Sequence, residues 1–152
     1  MEKLTPSQED YLETIYIETT KNGYAKVTDI AKILEVKKAS VTGALNSLCE
    51  KGLINYAPYS PITLTKDGET AAKKVLIRHQ VMTNFFKDVL QLEEKEATLN
   101  ACRMEHIMTE EMFNRIHTFS HFINNYSKNN KDFKTELENL YKFPTLRHPE
   151  LG

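Results

Sequence analysis

Between Val27 and Lys51 the chain carries two short helical patterns separated by only four residues, Glu35-Val36-Lys37-Lys38, and few arrangements can bury both. The first pattern runs from Thr28 to Leu34. The second runs from about Ala39 to Lys51, with Val41, Leu45 and Leu48 along one stripe and Gly52 as its stop. Each stripe is too short to be stable alone, so the two must pack steeply against each other and against a third helix. A suitable helix lies just upstream. Thr5 is placed to be its N-cap, Pro6 to occupy its first turn and Gln8 to complete a capping box. Leu12, Ile15, Tyr16 and Thr19 supply the stripe over about 6–20, and Asn22-Gly23 ends it. Three helices in this order form a helix-turn-helix.

The segment after Gly52 adds a wing to these helices. Leu53-Ile54-Asn55-Tyr56 and Ile62-Thr63-Leu64 are β-like runs around a loop with two prolines, Pro58 and Pro61, which makes a hairpin in the place of a wing. Thr65 can cap a long helix over about 66–91, whose apolar positions Ala71, Val75, Leu76, Val81, Met82, Phe85, Phe86 and Leu90 ask for a partner surface. Helices are expected at about 94–108 and 109–124, the second opened by Thr109, Glu110 and Glu111. A polar break from Asn124 to Asn130 should precede a last helix near 131–142. The fold class is therefore mainly α: an N-terminal winged helix-turn-helix over 1–75, an all-helical domain over 76–143 and a tail over 144–152.

At 152 residues and 17.6 kDa the chain can build one good core or two small ones. No stretch approaches 18 apolar residues and the N-terminus shows no leader, so a soluble, cytoplasmic protein without membrane contact is expected. Cys49 and Cys102 lie far apart and read as free thiols. The net charge of −1 argues against a generic nucleic-acid binder, but the charge is segregated: residues 1–20 carry −4, residues 21–88 carry +5 and residues 89–152 carry −2. The basic middle block, which holds the helix-turn-helix, suits phosphates.

Cys102-Arg103-Met104-Glu105-His106 sets a thiol, a carboxylate and an imidazole at i, i+3 and i+4 within a helical pattern, which puts all three within reach of one cation. The stretch Ala101 to Glu111, together with Glu9 to Tyr16, Ser40-Val41-Thr42, Leu64-Thr65-x-x-Gly68 and Arg78-His79, resembles the diphtheria toxin repressor family of metal-activated transcription regulators from Thr5 to about Ile123. The resemblance implies a homodimer that binds double-stranded operator DNA when loaded with metal, and no enzyme. It implies six ligands: Asp10, Glu13, His79, Cys102, Glu105 and His106. Asp10 and Glu13 are similar to the manganese branch of the family, whereas Cys102 is similar to the iron branch. Thr83 and Thr98 stand where that branch has further ligands, and its C-terminal barrel domain has no counterpart here. The residues themselves point the same way. Asp10 and Glu13 share a helix face, as do Cys102 and Glu105, and a cluster of such groups repels itself without a cation. Carboxylate and imidazole suit Mn(II) and Fe(II), and the thiolate tilts the site to Fe(II), with Mn(II) next and Co(II), Ni(II) and Zn(II) binding in vitro.

For the nucleic acid, Lys37 and Lys38 at the entry of the second short helix suit phosphates. Ser40, Thr42, Gly43 and Asn46 on its outward face suit base edges or thymine methyls, and Tyr59 and Ser60 at the wing tip suit the backbone. Other signals have plainer readings. Cys49 reads as core, His117 and His121 as the flank of a packing face, and Phe85, Phe86, Met108, Met112, Phe113 and Ile116 as core or dimer interface rather than a ligand pocket. His148 falls in the tail. Two alternatives stand beside the metal sensor. One is a winged-helix regulator that answers to an apolar effector or to oxidation of Cys102; the other is a metalloenzyme with Glu105 as base.

Overall fold

The structure is a computed structural model that describes residues 4–142; His148 and the tail lie outside the described residues. The chain divides into two units, Met1–Ile77 and Arg78–Gly152.

The first unit is built on α1 (Pro6–Asn22), α2 (Val27–Ile33) and α3 (Lys38–Glu50). Helix α1 begins as its sequence dictates. Thr5 Oγ1 accepts the Gln8 N–H at 3.3 Å while Gln8 Oε1 accepts the Thr5 N–H at 3.0 Å, so two donors that the helix cannot satisfy are paired reciprocally. It ends on Gly23 at φ 82°, whose N–H donates to Thr19 O. This left-handed cap is one that a residue with a Cβ enters only at a cost. The turn between α2 and α3 passes through Glu35 at φ 54°, and Lys37 in extended conformation starts α3. Leu12, Ile15, Ile30, Val41, Leu45 and Leu48 are fully buried against one another and form the heart of this unit. At roughly 1.5–3 kcal/mol for each large apolar side chain, their burial dominates its stability.

The wing is an antiparallel pair, β1 (Ile54–Asn55) and β2 (Thr63–Leu64), in the register Ile54↔Leu64 and Asn55↔Thr63, with a further bridge from Ile62 to Ala25. Thr65 then caps α4 (Lys66–Asn84) by accepting the Gly68 N–H at 3.0 Å, while its own hydroxyl donates to Gly52 O at 2.7 Å. A Cβ at Gly68 would sit 1.8 Å from Leu53 O, so only glycine lets the helix come this close to the wing.

The second unit begins within α4. The long helix expected over 66–91 instead ends at Asn84, and Phe85–Val89 form a π-helical turn in which Leu90 N–H donates to Phe85 O at 3.2 Å. The wider turn admits one extra residue, and Phe86 and Val89 within it are both buried. Next come α5 (Glu94–Met104), α6 (Glu110–Asn129) and α7 (Lys131–Leu140). Met82, Phe86, Ala97 and Ala101 form the core, with Phe85, Met104, Met108 and Ile116 packed on it. Phe85, Phe86, Met108 and Ile116 thus take the core role, one of the two expected of them, and Phe113 is buried, whereas Met112 is exposed.

Two further sequence expectations need correction. Helix α5 stops at Met104 rather than 108, because the Ile107 and Met108 N–H groups both turn back to Met104 O and Thr109 then caps a new helix. The polar run from Asn124 to Asn130 is no break: α6 continues to Asn129. Its asparagines bond within the helix, as in Asn129 Nδ2 to Asn125 O at 3.0 Å, and Tyr126 stacks on Phe122 and meets Phe133 edge-on. Asn130 alone interrupts, its Oδ1 accepting the Phe133 N–H at 3.0 Å to cap α7.

Candidate metal centre and nucleic-acid interface

In the second unit two candidate ligands, both imidazoles, meet a third, a buried carboxylate. Glu105, only 2% exposed, has αR backbone angles at the C-cap of α5, so it keeps the helical spacing from Cys102 although the helix closes one residue earlier. His79 of α4 brings Nδ1 to 2.9 Å from Glu105 Oε2, and His106, in the turn after α5, brings Nε2 to 3.3 Å from Glu105 Oε1. Each carboxylate oxygen thus faces an imidazole. A carboxylate placed out of water costs several kcal/mol unless it is fully paired, and here the pairing is incomplete: Oε1 accepts no hydrogen bond among the described residues. An unsatisfied oxygen beside an imidazole nitrogen, with a second imidazole on the other oxygen, is a donor set suited to a first-row divalent cation. Cys102 lies one turn before Glu105 on α5 and is exposed.

Asp10 and Glu13 are in the first unit, half-buried on one flank of α1 beside the buried stripe of Tyr11, Leu12 and Ile15. Their spacing is held by an unbroken helix in which the Thr14 hydroxyl donates to Asp10 O at 2.9 Å.

The second unit also contains a support that spacing alone did not reveal. Arg78, next to His79, makes an ion pair with Glu110 in the first turn of α6, and its guanidinium lies 5.6 Å from the centre of the Phe113 ring. This ties the His79 turn of α4 to α6. His117 stacks on Phe113, with ring centres 6.3 Å apart, and His121 contacts Asn125, so both flank the packing face. In the first unit Cys49 packs partly buried on the core.

The outward face of α3 presents Lys38, Ser40, Gly43 and Asn46 to solvent, with Lys37 at its N-cap. Thr42 is half-buried, its hydroxyl donating to Lys38 O at 3.1 Å, so its methyl rather than its proton is available outward. At the wing tip Tyr59 has φ 63° and is 105% exposed, beside an exposed Ser60 whose N–H donates to Ala57 O. A large ring held away from the fold on a strained residue makes no contribution to the core.

A helix-turn-helix with a wing, followed by a helical unit carrying a cluster of candidate metal ligands, fits the class of DNA-binding regulators that answer to a metal. Residues 3–62 match the iron dependent repressor N-terminal DNA binding domain, and residues 65–134 match the iron dependent repressor metal binding and dimerisation domain. The chain belongs to this family of metal-dependent transcriptional repressors, which are DNA-binding regulators and not enzymes. It is 39% identical over 117 residues to an uncharacterised HTH-type transcriptional regulator of Methanocaldococcus jannaschii, covering 76% of this chain and 94% of that protein. To the HTH-type transcriptional regulator MntR of Bacillus subtilis it is 30% identical over 131 residues, covering 86% and 92%. The crystal structure of T. acidophilum IdeR matches with a TM-score of 0.65 at 28% identity over 76% of this chain, which spans about half, 54%, of that one. No helix among the described residues is long and apolar enough to cross a membrane.

Proposed function

We propose that this chain is a cytoplasmic, homodimeric repressor that binds a near-palindromic operator when loaded with Fe(II) or Mn(II), Fe(II) being favoured by the thiol of Cys102. The division of labour is a DNA-reading head over 1–75 and a metal-binding, dimerising part over 76–143. The observation that carries the metal assignment is the buried Glu105 carboxylate, flanked by His79 and His106 and left with an unsatisfied oxygen. Asp10, Glu13 and Cys102 complete the ligand set with two carboxylates and a thiolate. A divalent cation held by these residues would supply the positive charge that the acids need.

The protein side chains then do the rest. Asp10 and Glu13 hold α1, which packs on α3, so the posture of α3 depends on where those two acids are held. Lys37 and Lys38 anchor the start of α3 on phosphates, while Ser40, Thr42, Gly43 and Asn46 face the major groove and Tyr59 and Ser60 meet the backbone. Metal raises operator affinity only by the difference in metal affinity between the DNA-competent and incompetent arrangements.

Loss of the free Mn(II) paramagnetic signal during titration counts bound ions directly. The wild-type chain is expected to bind Mn(II) stoichiometrically, and Glu105→Ala and His106→Ala to lose that binding while remaining folded dimers. Undiminished binding in both variants would remove these residues from the site.

A further inference from the structure

The Gln8 amide does two jobs with its two ends. Its Oε1 accepts the Thr5 N–H at 3.0 Å and closes the capping box of α1. Its Nε2 donates to Ser47 Oγ on α3 at 2.9 Å, across 39 residues of sequence and in a partly buried setting. An amide side chain presents a fixed, planar acceptor and donor, so one rotamer serves both bonds. Fraying of the first turn of α1 therefore breaks the cap and the bond to α3 in one event. Ser47 is the residue after Asn46, on the helix whose outward face carries Ser40, Gly43 and Asn46, and it is half-buried on the flank of that face. Asp10 lies two residues beyond Gln8, within the same first turns of α1.

We infer that Gln8 and Ser47 are positioning residues that transmit the metal-dependent state of α1 to the DNA-reading helix α3. The inference rests on the proposed function, in which Asp10 and Glu13 hold metal. When α1 is held at Asp10, its capped first turn persists and Gln8 fixes the flank of α3 against it. When α1 is not held, cap and link open together and α3 loses one restraint on its orientation. Neither residue is a ligand, and by linkage the bond raises metal affinity in the presence of DNA by the same factor that metal raises duplex affinity through it. Its contribution is to the coupling between metal and DNA, the quantity that linkage makes reciprocal.

Ser47→Ala is the cleanest test, since it removes the acceptor, leaves the capping box whole and places alanine within a helix, where it is well tolerated. Duplexes enriched from a random pool by the Mn(II)-loaded wild-type chain serve as DNA. Four quantities are measured: thermal melting, Mn(II) affinity without DNA, and duplex affinity with and without Mn(II). The variant is expected to melt within a few degrees of the wild type, the cost of one hydrogen bond, and to bind Mn(II) without DNA within about twofold of it. The gain in duplex affinity on adding Mn(II) should fall by about three- to tenfold, the worth of one side-chain hydrogen bond. Gln8→Ala should lower the same gain, and the double variant should lose no more of it than Gln8→Ala alone. An unchanged gain in both single variants overturns the inference. So does an equal loss of duplex affinity with and without Mn(II), which would make Ser47 an ordinary DNA contact. A wild-type chain with no Mn(II)-dependent gain refutes the metal-sensor reading itself, and the inference with it.

Discussion

Glu105→Gln tests the centre of the proposed metal site with the least disturbance to packing, because the amide has the shape of the carboxylate and replaces it in a pocket where Glu105 is 2% exposed. Both carboxylate oxygens face imidazoles, at 2.9 Å from His79 and 3.3 Å from His106, so loss of the charge is felt by both. Without metal the variant should be as stable as the wild type or more stable by up to about 1–3 kcal/mol, because a buried charge is removed from a site that satisfies it incompletely. With metal the order reverses. Partners outside the coordination sphere already change affinity by about 10–100-fold, so removing a ligand's charge is expected to cost at least about 100-fold. At a metal concentration of about 100 times the wild-type Kd, the wild type gains about 2.7 kcal/mol and the variant only about 0.4 kcal/mol. For a chain of this length that is a rise in Tm of about 5–11 °C against about 1–2 °C. Thermal melts followed by circular dichroism, with and without Mn(II), measure both. A variant whose Tm rises as far as the wild type's would refute the assignment of Glu105 as a ligand.

Single substitutions elsewhere have equally definite outcomes. Gly68→Ala drives a Cβ to 1.8 Å from Leu53 O and should destabilise the first unit by at least about 2 kcal/mol in urea unfolding, whereas an ordinary helical glycine would gain stability on the same change. Cys102→Asp replaces the soft donor with a hard one and should shift preference towards Mn(II) over Co(II) and Zn(II); unchanged ratios in competitive titrations would mean that the thiol does not ligate. Tyr59→Ala should lower affinity for all duplex sequences by a similar factor while leaving the melting temperature unchanged, since the ring is fully exposed. A sequence-dependent loss would make Tyr59 a reader of bases instead.

The first unit could be read closely from its residues because its determinants are local. The Thr5 and Gln8 capping box, the Gly23 stop and the Val41, Leu45 and Leu48 stripe each act within a turn or two of chain, and the structure contains all three. In the second unit, spacing identified the segments but misplaced their ends. Composition alone made Asn124–Asn130 look like a break, whereas side chains bonding one turn back keep the helix intact to Asn129. The end of α5 at Met104 and the π-helical turn at Phe85–Val89 answer to packing around Phe86 and Met108, which no local pattern records. The candidate ligands were recognisable as residue types at helical spacing. That His79 and His106 would flank opposite oxygens of a buried Glu105 was not, since the His79 contact depends on where α4 packs. Arg78 with Glu110 and Gln8 with Ser47 escaped for the same reason: each joins residues more than 30 positions apart.

The central claim is that metal controls DNA binding, and reversal tests it most directly. Purified chain stripped of metal is mixed with labelled duplexes enriched by its Mn(II)-loaded form, and anisotropy is followed as Mn(II), or Fe(II) without oxygen, is added and then removed with a chelator. Binding that appears with metal, disappears with chelator and returns on re-addition is the predicted result. Equal binding in all three conditions would contradict the account and leave the buried Glu105 cluster with a structural role alone.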